Sequence, residues 1–158
     1  MIKTMIAFFG EYWKGLENPR KENRVKIGDY YESLVMLCDN CFGVAFTPEI
    51  SCNFNKEWYK NSYHFDRIFD RQVTSSDTIE VHPGKLIIHP RDEKTKLREF
   101  LNDDGLFALY INDKYMKFID DIRNYFADLV YFKYDKKGML SVHRENGDLL
   151  AVCLEVKV

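Results

Sequence analysis

Residues 129–158 read LVYFKYDKKGMLSVHRENGDLLAVCLEVKV, and this stretch decides the fold class. Three β-capable runs, Leu129 to Tyr134, Met139 to Arg144 and Leu149 to Val158, are separated by Lys136-Lys137-Gly138 and by Asn146-Gly147. Asn-Gly at the centre of a two-residue loop is a strong hairpin signal, because both positions take positive φ. An antiparallel meander follows, with His143 facing Leu150 and Cys153 facing Leu140. Leu149-Leu150-Ala151-Val152-Cys153-Leu154 is apolar in every position, which places the last run inside a sheet rather than at its rim.

Working upstream, Leu106 to Ile111 reads as a strand, and Asn112 as the N-cap of a helix carrying Tyr115, Ile119, Ile122 and Phe126 on one stripe. Asp113, Lys117 and Asp121 lie at i,i+4 spacing on its wet side. The order strand, helix, meander from Leu106 to Val158 resembles the last repeat of a bacterial sliding clamp. That pattern covers a third of the chain and implies no activity. Thr78 to Val81 and Leu86 to His89 flank Pro83-Gly84 and predict a hairpin, in which Val81 faces Leu86 and Ile79 faces Ile88 to form core. After Pro90 a polar helix with Leu97, Phe100 and Leu101 on one side is expected, ending at Asn102-Asp103-Asp104-Gly105.

Further back, Phe65-Asp66-Arg67 is echoed by Phe69-Asp70-Arg71, a four-residue spacing that predicts a helix within 55–71. Phe42 to Phe46 reads as a strand ended by Thr47-Pro48. Asp29-Tyr30-Tyr31-Glu32 has capping-box spacing, so a helix is expected to run from there to about Asp39. Ile2 to Phe9 is β-capable, and a loop follows it. The fold class is α+β: a mainly antiparallel sheet, made of the C-terminal three-strand meander, N-terminal strands and a 78–89 hairpin, covered by two to four helices. At 158 residues the expectation is a single domain over 1–158.

Charge narrows the function. Lys plus Arg number 23 and Asp plus Glu 25, for a net charge of −2, and the two signs are mixed along the whole chain. A large phosphate-binding footprint is therefore not expected, since nucleic-acid affinity rests on basic groups that displace counterions. Mild acidity instead suits a basic protein partner, such as a toxin or enzyme. The apolar run Met5 to Phe9 is too short for a signal-peptide core or a membrane span, so the expected location is cytoplasmic. There Cys38, Cys41, Cys52 and Cys153 are expected as thiols or metal ligands, not disulfides.

Three kinds of chemistry can be weighed on the residues. Cys38-x2-Cys41 with Cys52 and His64 could hold zinc, but one metal-knuckle pair without a second leaves buried thiols as the simpler reading, and no cofactor is expected. His64 with Asp66 and Asp70 offers a metal-dependent hydrolase or nuclease site, against which Arg67 and Arg71 read the same carboxylates as members of a salt-laced helix face. His143 and Cys153 fall on opposite faces of the predicted meander, so they form no nucleophilic dyad. Glycine-rich phosphate loops, G-x-S-x-G and H-E-x-x-H do not occur in the sequence.

The positive signal is aromatic: 12 Phe, 10 Tyr and 2 Trp make up 15% of the chain. Phe falls mostly on predicted apolar stripes. Tyr12, Trp13, Trp58, Tyr59 and Tyr63 instead lie among charged residues, where Tyr and Trp serve as interface anchors that keep a polar handle. The sequence thus reads as a small non-catalytic protein-binding or inhibitor protein, of the immunity-protein, antitoxin or phage anti-defence kind. The hydrolase and a zinc-stabilised interaction module are its alternatives.

Overall fold

The computed structural model describes residues 25–30, 33–38, 41–46, 63–64, 77–126 and 129–158. The chain divides into two compact units, Met1–Thr74 and Ser75–Val158.

In the first unit, β1 (Val25–Tyr30), β2 (Ser33–Cys38) and β3 (Phe42–Phe46) form an antiparallel meander, and β4 (Tyr63–His64) adds parallel to β1. The helix expected from Asp29 to Asp39 is instead the β1–β2 hairpin, in which Tyr30 pairs with Ser33 and Val25 with Cys38. Leu34-Val35-Met36-Leu37 is apolar in all directions, which suits a buried helix and an inner strand equally. Pairing on both sides, with β1 and with β3, decides for the strand. The strand predicted at Phe42–Phe46 is present with those bounds, and Phe42 and Val44 are buried. Of the helix expected within 55–71, Tyr63–His64 is strand, and the other residues lie outside the described ones. The strand expected at Ile2 to Phe9 also lies outside them.

The second unit holds β5 (Ile79–His89), β6 (Asp92–Asn102), β7 (Phe107–Asn112), β8 (Val130–Tyr134), β9 (Met139–Arg144) and β10 (Leu149–Leu154). Their order is β10-β9-β8-β5-β6-β7, and every neighbouring pair is antiparallel. Paired residues share a face, so the register assembles one continuous apolar surface. Val81 pairs with Phe132, Phe132 with Val142 and Val142 with Ala151; Leu140 pairs with Cys153 and Phe100 with Leu109. All eight are buried. The Phe100 and Phe132 rings meet at 5.2 Å although β5 lies between their strands, so this face is concave. The Val156 amide donates to the Tyr110 carbonyl at 2.8 Å, bringing the chain just beyond β10 onto β7 and curling the six strands toward closure.

A 3-10 turn, Asp113–Tyr115, leads into α1 (Met116–Phe126). Asn112 caps it as predicted, its side chain accepting from the Lys114 amide at 3.1 Å. Tyr115 and Ile119 of the expected stripe are buried; the side chains of Ile122 and Phe126 lie outside the described residues. Among the described residues α1 is the only α-helix, so the architecture is mainly antiparallel sheet rather than a sheet under two to four helices. No helix among them is long and apolar enough to cross a membrane.

Residues 78–102 depart most from expectation. Pro83-Gly84 is not a turn, and residues 91–101 are not a helix. β5 runs on through Pro83-Gly84 as one strand with an irregularity between Pro83 and Leu86, and the chain reverses at Pro90-Arg91, where His89 pairs with Asp92. Val81 consequently faces Asn102 and Leu86 faces Arg98. Two local bonds hold the reversal: the Arg91 amide donates to His89 Nδ1 at 3.0 Å, and the Lys94 amide to Asp92 Oδ1 at 3.1 Å. At the irregularity, Arg98 Nη1 donates to the Gly84 carbonyl at 3.1 Å while its Nε donates to Asp113 Oδ1 at 3.0 Å. One guanidinium thus takes up the carbonyl that a true turn would have satisfied within the backbone. Leu86 and Ile88, expected in the core, are 43% and 61% exposed.

The C-terminal meander holds, with one correction. Arg144 and Asp148 close a loop of three residues, and among these only Gly147 has positive φ, at 93°. His143 therefore pairs with Leu149 rather than Leu150, and a register shift before Ala151 restores the expected Cys153–Leu140 pair. A three-residue turn with glycine in the left-handed position absorbs one residue more than the two-residue turn, and a bulge compensates for it.

Candidate functional site

Most residues singled out in the sequence lie outside the described ones: Tyr12, Trp13, Cys52, Trp58, Tyr59, Asp66 and Asp70. Tyr63 and His64 are placed as the two residues of β4, paired with Gly28 and Asp29. Cys38 ends β2 opposite Phe42, and Cys41 lies half-buried in the intervening turn. Cys38 therefore belongs to a hairpin end rather than to a helix stripe. Among the described residues no group of three or more His, Cys, Asp or Glu could hold a metal ion. His82 is tied to Asp103 at 2.8 Å across the sheet end.

His143 and Cys153 do lie on opposite faces, since Cys153 shares the concave face with Leu140 while His143 shares the other with Ser141. The ring instead finds Ser141, with Nε2 2.8 Å from Oγ and Nδ1 3.4 Å from the Gly147 carbonyl. Burial holds the imidazole below its ordinary value of 6.5, favouring the neutral ring. The Ser141 hydroxyl also reaches the neighbouring strand, donating to the Lys133 carbonyl at 3.4 Å. Ser141 is wholly buried, so the pair fastens the last hairpin and offers no nucleophile to a substrate. Tyr134 is similarly structural. Its hydroxyl donates to Glu155 at 3.1 Å, and burial together with that carboxylate pushes its pKa up to about 12.

Two exposed features that sequence reading missed stand out in the second unit. The first is the tip of the β5–β6 ribbon. Ile88 pairs with Lys96 and Leu86 with Arg98, so apolar and basic side chains share one face. Beside it an open groove of about 350 Å³ is lined by Lys94, Thr95, Lys96, Asn112, Asp113 and Lys114. The second lies at β7, where Phe107 is 53% exposed and packs at a tilt against Tyr110 with ring centroids 4.6 Å apart, next to Leu106 at 63%. The turn before β7 is rigid: Asn102 Oδ1 accepts from the amides of Asp104 at 3.0 Å and Leu106 at 2.9 Å, and Gly105 has φ 76°. Neither feature is readable from spacing alone, because both depend on pairings that the predicted helix at 91–101 would have prevented.

No protein-family model and no solved structure matches this chain. It is similar to the type II methyltransferase M.MwoI of Methanothermobacter wolfeii, with 32% identity over 94 residues, a stretch that is 60% of this chain and 12% of that protein. The chain thus matches a small fraction of the length of that relative.

Proposed function

We propose that this protein is a small non-catalytic binding protein that associates stoichiometrically with a protein partner, in the manner of an immunity protein, an antitoxin or a phage anti-defence protein. The observation that carries the reading is the Phe107–Tyr110 pair with Leu106 on β7. Large, half-exposed rings on a strand held by its own turn bury area on association at little entropic cost. The aromatics among charged residues, Tyr12, Trp13, Trp58, Tyr59 and Tyr63, add to it as candidate contacts.

The test is recovery of a partner from the native host on tagged protein, followed by light scattering of the purified pair. A defined stoichiometric complex is expected, and Phe107→Ala is expected to weaken it by about 2 kcal/mol, or roughly thirtyfold, the scale of an interface hot spot. Alanine at Trp58 or Tyr59 should weaken it as well. A complex indifferent to all three changes, or no complex, refutes the proposal.

The likeness to M.MwoI favours a second reading, in which the chain is a non-catalytic companion of a methyltransferase. It predicts that the recovered partner is a methyltransferase whose methyl-transfer rate changes when this chain is added.

A further inference from the structure

The whole chain carries a net charge of −2, yet residues 82–98 hold five Lys or Arg (Lys85, Arg91, Lys94, Lys96, Arg98) against Asp92 and Glu93. The groove's own carboxylate, Asp113, is matched by Arg98 at 3.0 Å, which leaves Lys85, Arg91, Lys94 and Lys96 against Asp92 and Glu93 along the ribbon. What the groove presents outward is therefore basic: Lys94 and Lys96 from β6, and Lys114 from the turn before α1, all three exposed. We propose that the β5–β6 ribbon is a contact for duplex DNA, with Lys94, Lys96 and Lys114 as its phosphate-binding groups.

The geometry selects the ligand in steps. Lys94 and Lys96 stand two residues apart on one face of a strand, about 6.8 Å, a span that lets them bridge two neighbouring phosphates of one DNA strand. A two-stranded ribbon fits the B-form major groove, whereas the deep, narrow major groove of A-form RNA does not admit side chains. Residues 82–98 contain no Phe, Tyr or Trp, so the ribbon lacks the stacking platform that single strands use. Exposed Ile88 and Leu86 share the face of Lys96 and Arg98 and supply apolar contact for thymine methyl groups. An acidic protein surface would be served by the same lysines, but it would not call for this spacing.

The experiment is fluorescence anisotropy of a labelled 20-base-pair DNA duplex titrated with the full chain at 50 and 200 mM salt. Three phosphate contacts predict a slope of log K against log salt of about −2.7, or about 40-fold weaker binding at the higher salt. The Lys94→Gln/Lys96→Gln/Lys114→Gln variant should lose the binding and its salt dependence, while Lys133→Gln, at an exposed lysine on β8, should bind as the parent does. A circular dichroism spectrum matching the parent establishes that the triple variant is folded. Absence of binding at 50 mM salt, equal binding of single-stranded DNA or duplex RNA, or an unchanged slope in the triple variant overturns the proposal. Equally tight, lysine-dependent binding of polyglutamate also overturns it, by marking a general acid-binding surface.

Discussion

Replacing Arg98 with Met tests why residues 79–102 form one long ribbon. The change keeps most of the aliphatic stem and removes two bonds, to the Gly84 carbonyl at 3.1 Å and to Asp113 at 3.0 Å. A charged donor on a part-buried carbonyl contributes about 1.5–3 kcal/mol. The ion pair adds less, because its side chains retain 28% and 25% of their exposure and water screens such pairs to about 0.5–1 kcal/mol. The expected loss is about 2–4 kcal/mol, read as a fall of about 1 M or somewhat more in the urea midpoint by far-UV circular dichroism if the denaturant slope is about 2–3 kcal/mol per molar. Asp113→Asn alone should lose about 0.5–1 kcal/mol, and a double-mutant cycle should return a coupling of that same size. A loss below about 0.5 kcal/mol for Arg98→Met would refute the argument, since the bulge at Pro83-Gly84 would then hold without its guanidinium.

Two further outcomes follow from buried polar groups. Asp135 is buried, and its Oδ1 accepts from the amides of Lys137 at 2.8 Å and Met139 at 2.9 Å in the β8–β9 turn; Asp135→Ala should cost about 3 kcal/mol in urea unfolding, and Asp135→Asn, which keeps the accepting oxygen, should recover at least half. His143 has its folded pKa depressed by burial below 6.5, so the unfolded chain binds the extra proton first. The contribution of the neutral ring is complete above that value and declines as pH falls from 6.5 toward the folded pKa, by at most about 1.4 kcal/mol per pH unit; His143→Gln should remove this part of a stability–pH profile, and an unchanged profile would contradict it.

The parts of the fold legible in the sequence are those whose signals are local. Asn112 capped its helix because a side-chain amide oxygen reaches an amide two residues on, and the meander was marked by glycines that the chain needs at positive φ, Gly138 at 109° and Gly147 at 93°. Even there the turn length was off by one, because Asn-Gly can close a three-residue loop as well as a two-residue one, and only the bulge before Ala151 returned Cys153 to Leu140. The run Leu34 to Leu37 carried no period, and β-pairing on both sides chose its state. Leu97, Phe100 and Leu101 sat at helical spacing, yet Asp92 to Asn102 is a strand because β5 and β7 supply ladders on either side.

The candidate sites divide in the same way. Composition identified an aromatic surplus and, correctly for the chain as a whole, an absence of net basic charge. Phe107 and Tyr110 were within its reach as strand residues, but their exposure depends on β7 being the last strand in its order. Lys94, Lys96 and Lys114 are 18 to 20 positions apart between strand and helix turn, so no charge count along the chain could group them. By itself the sequence determined the glycine-marked turns of the last meander and which residues are apolar enough to bury; the tertiary structure decided which strand each run pairs with, and with it where the other reversals fall, since pairing energy is shared between distant segments and belongs to neither alone. That non-local choice turned an expected hairpin-and-helix into a single ribbon, and it put Leu86, Ile88 and three lysines at the surface together.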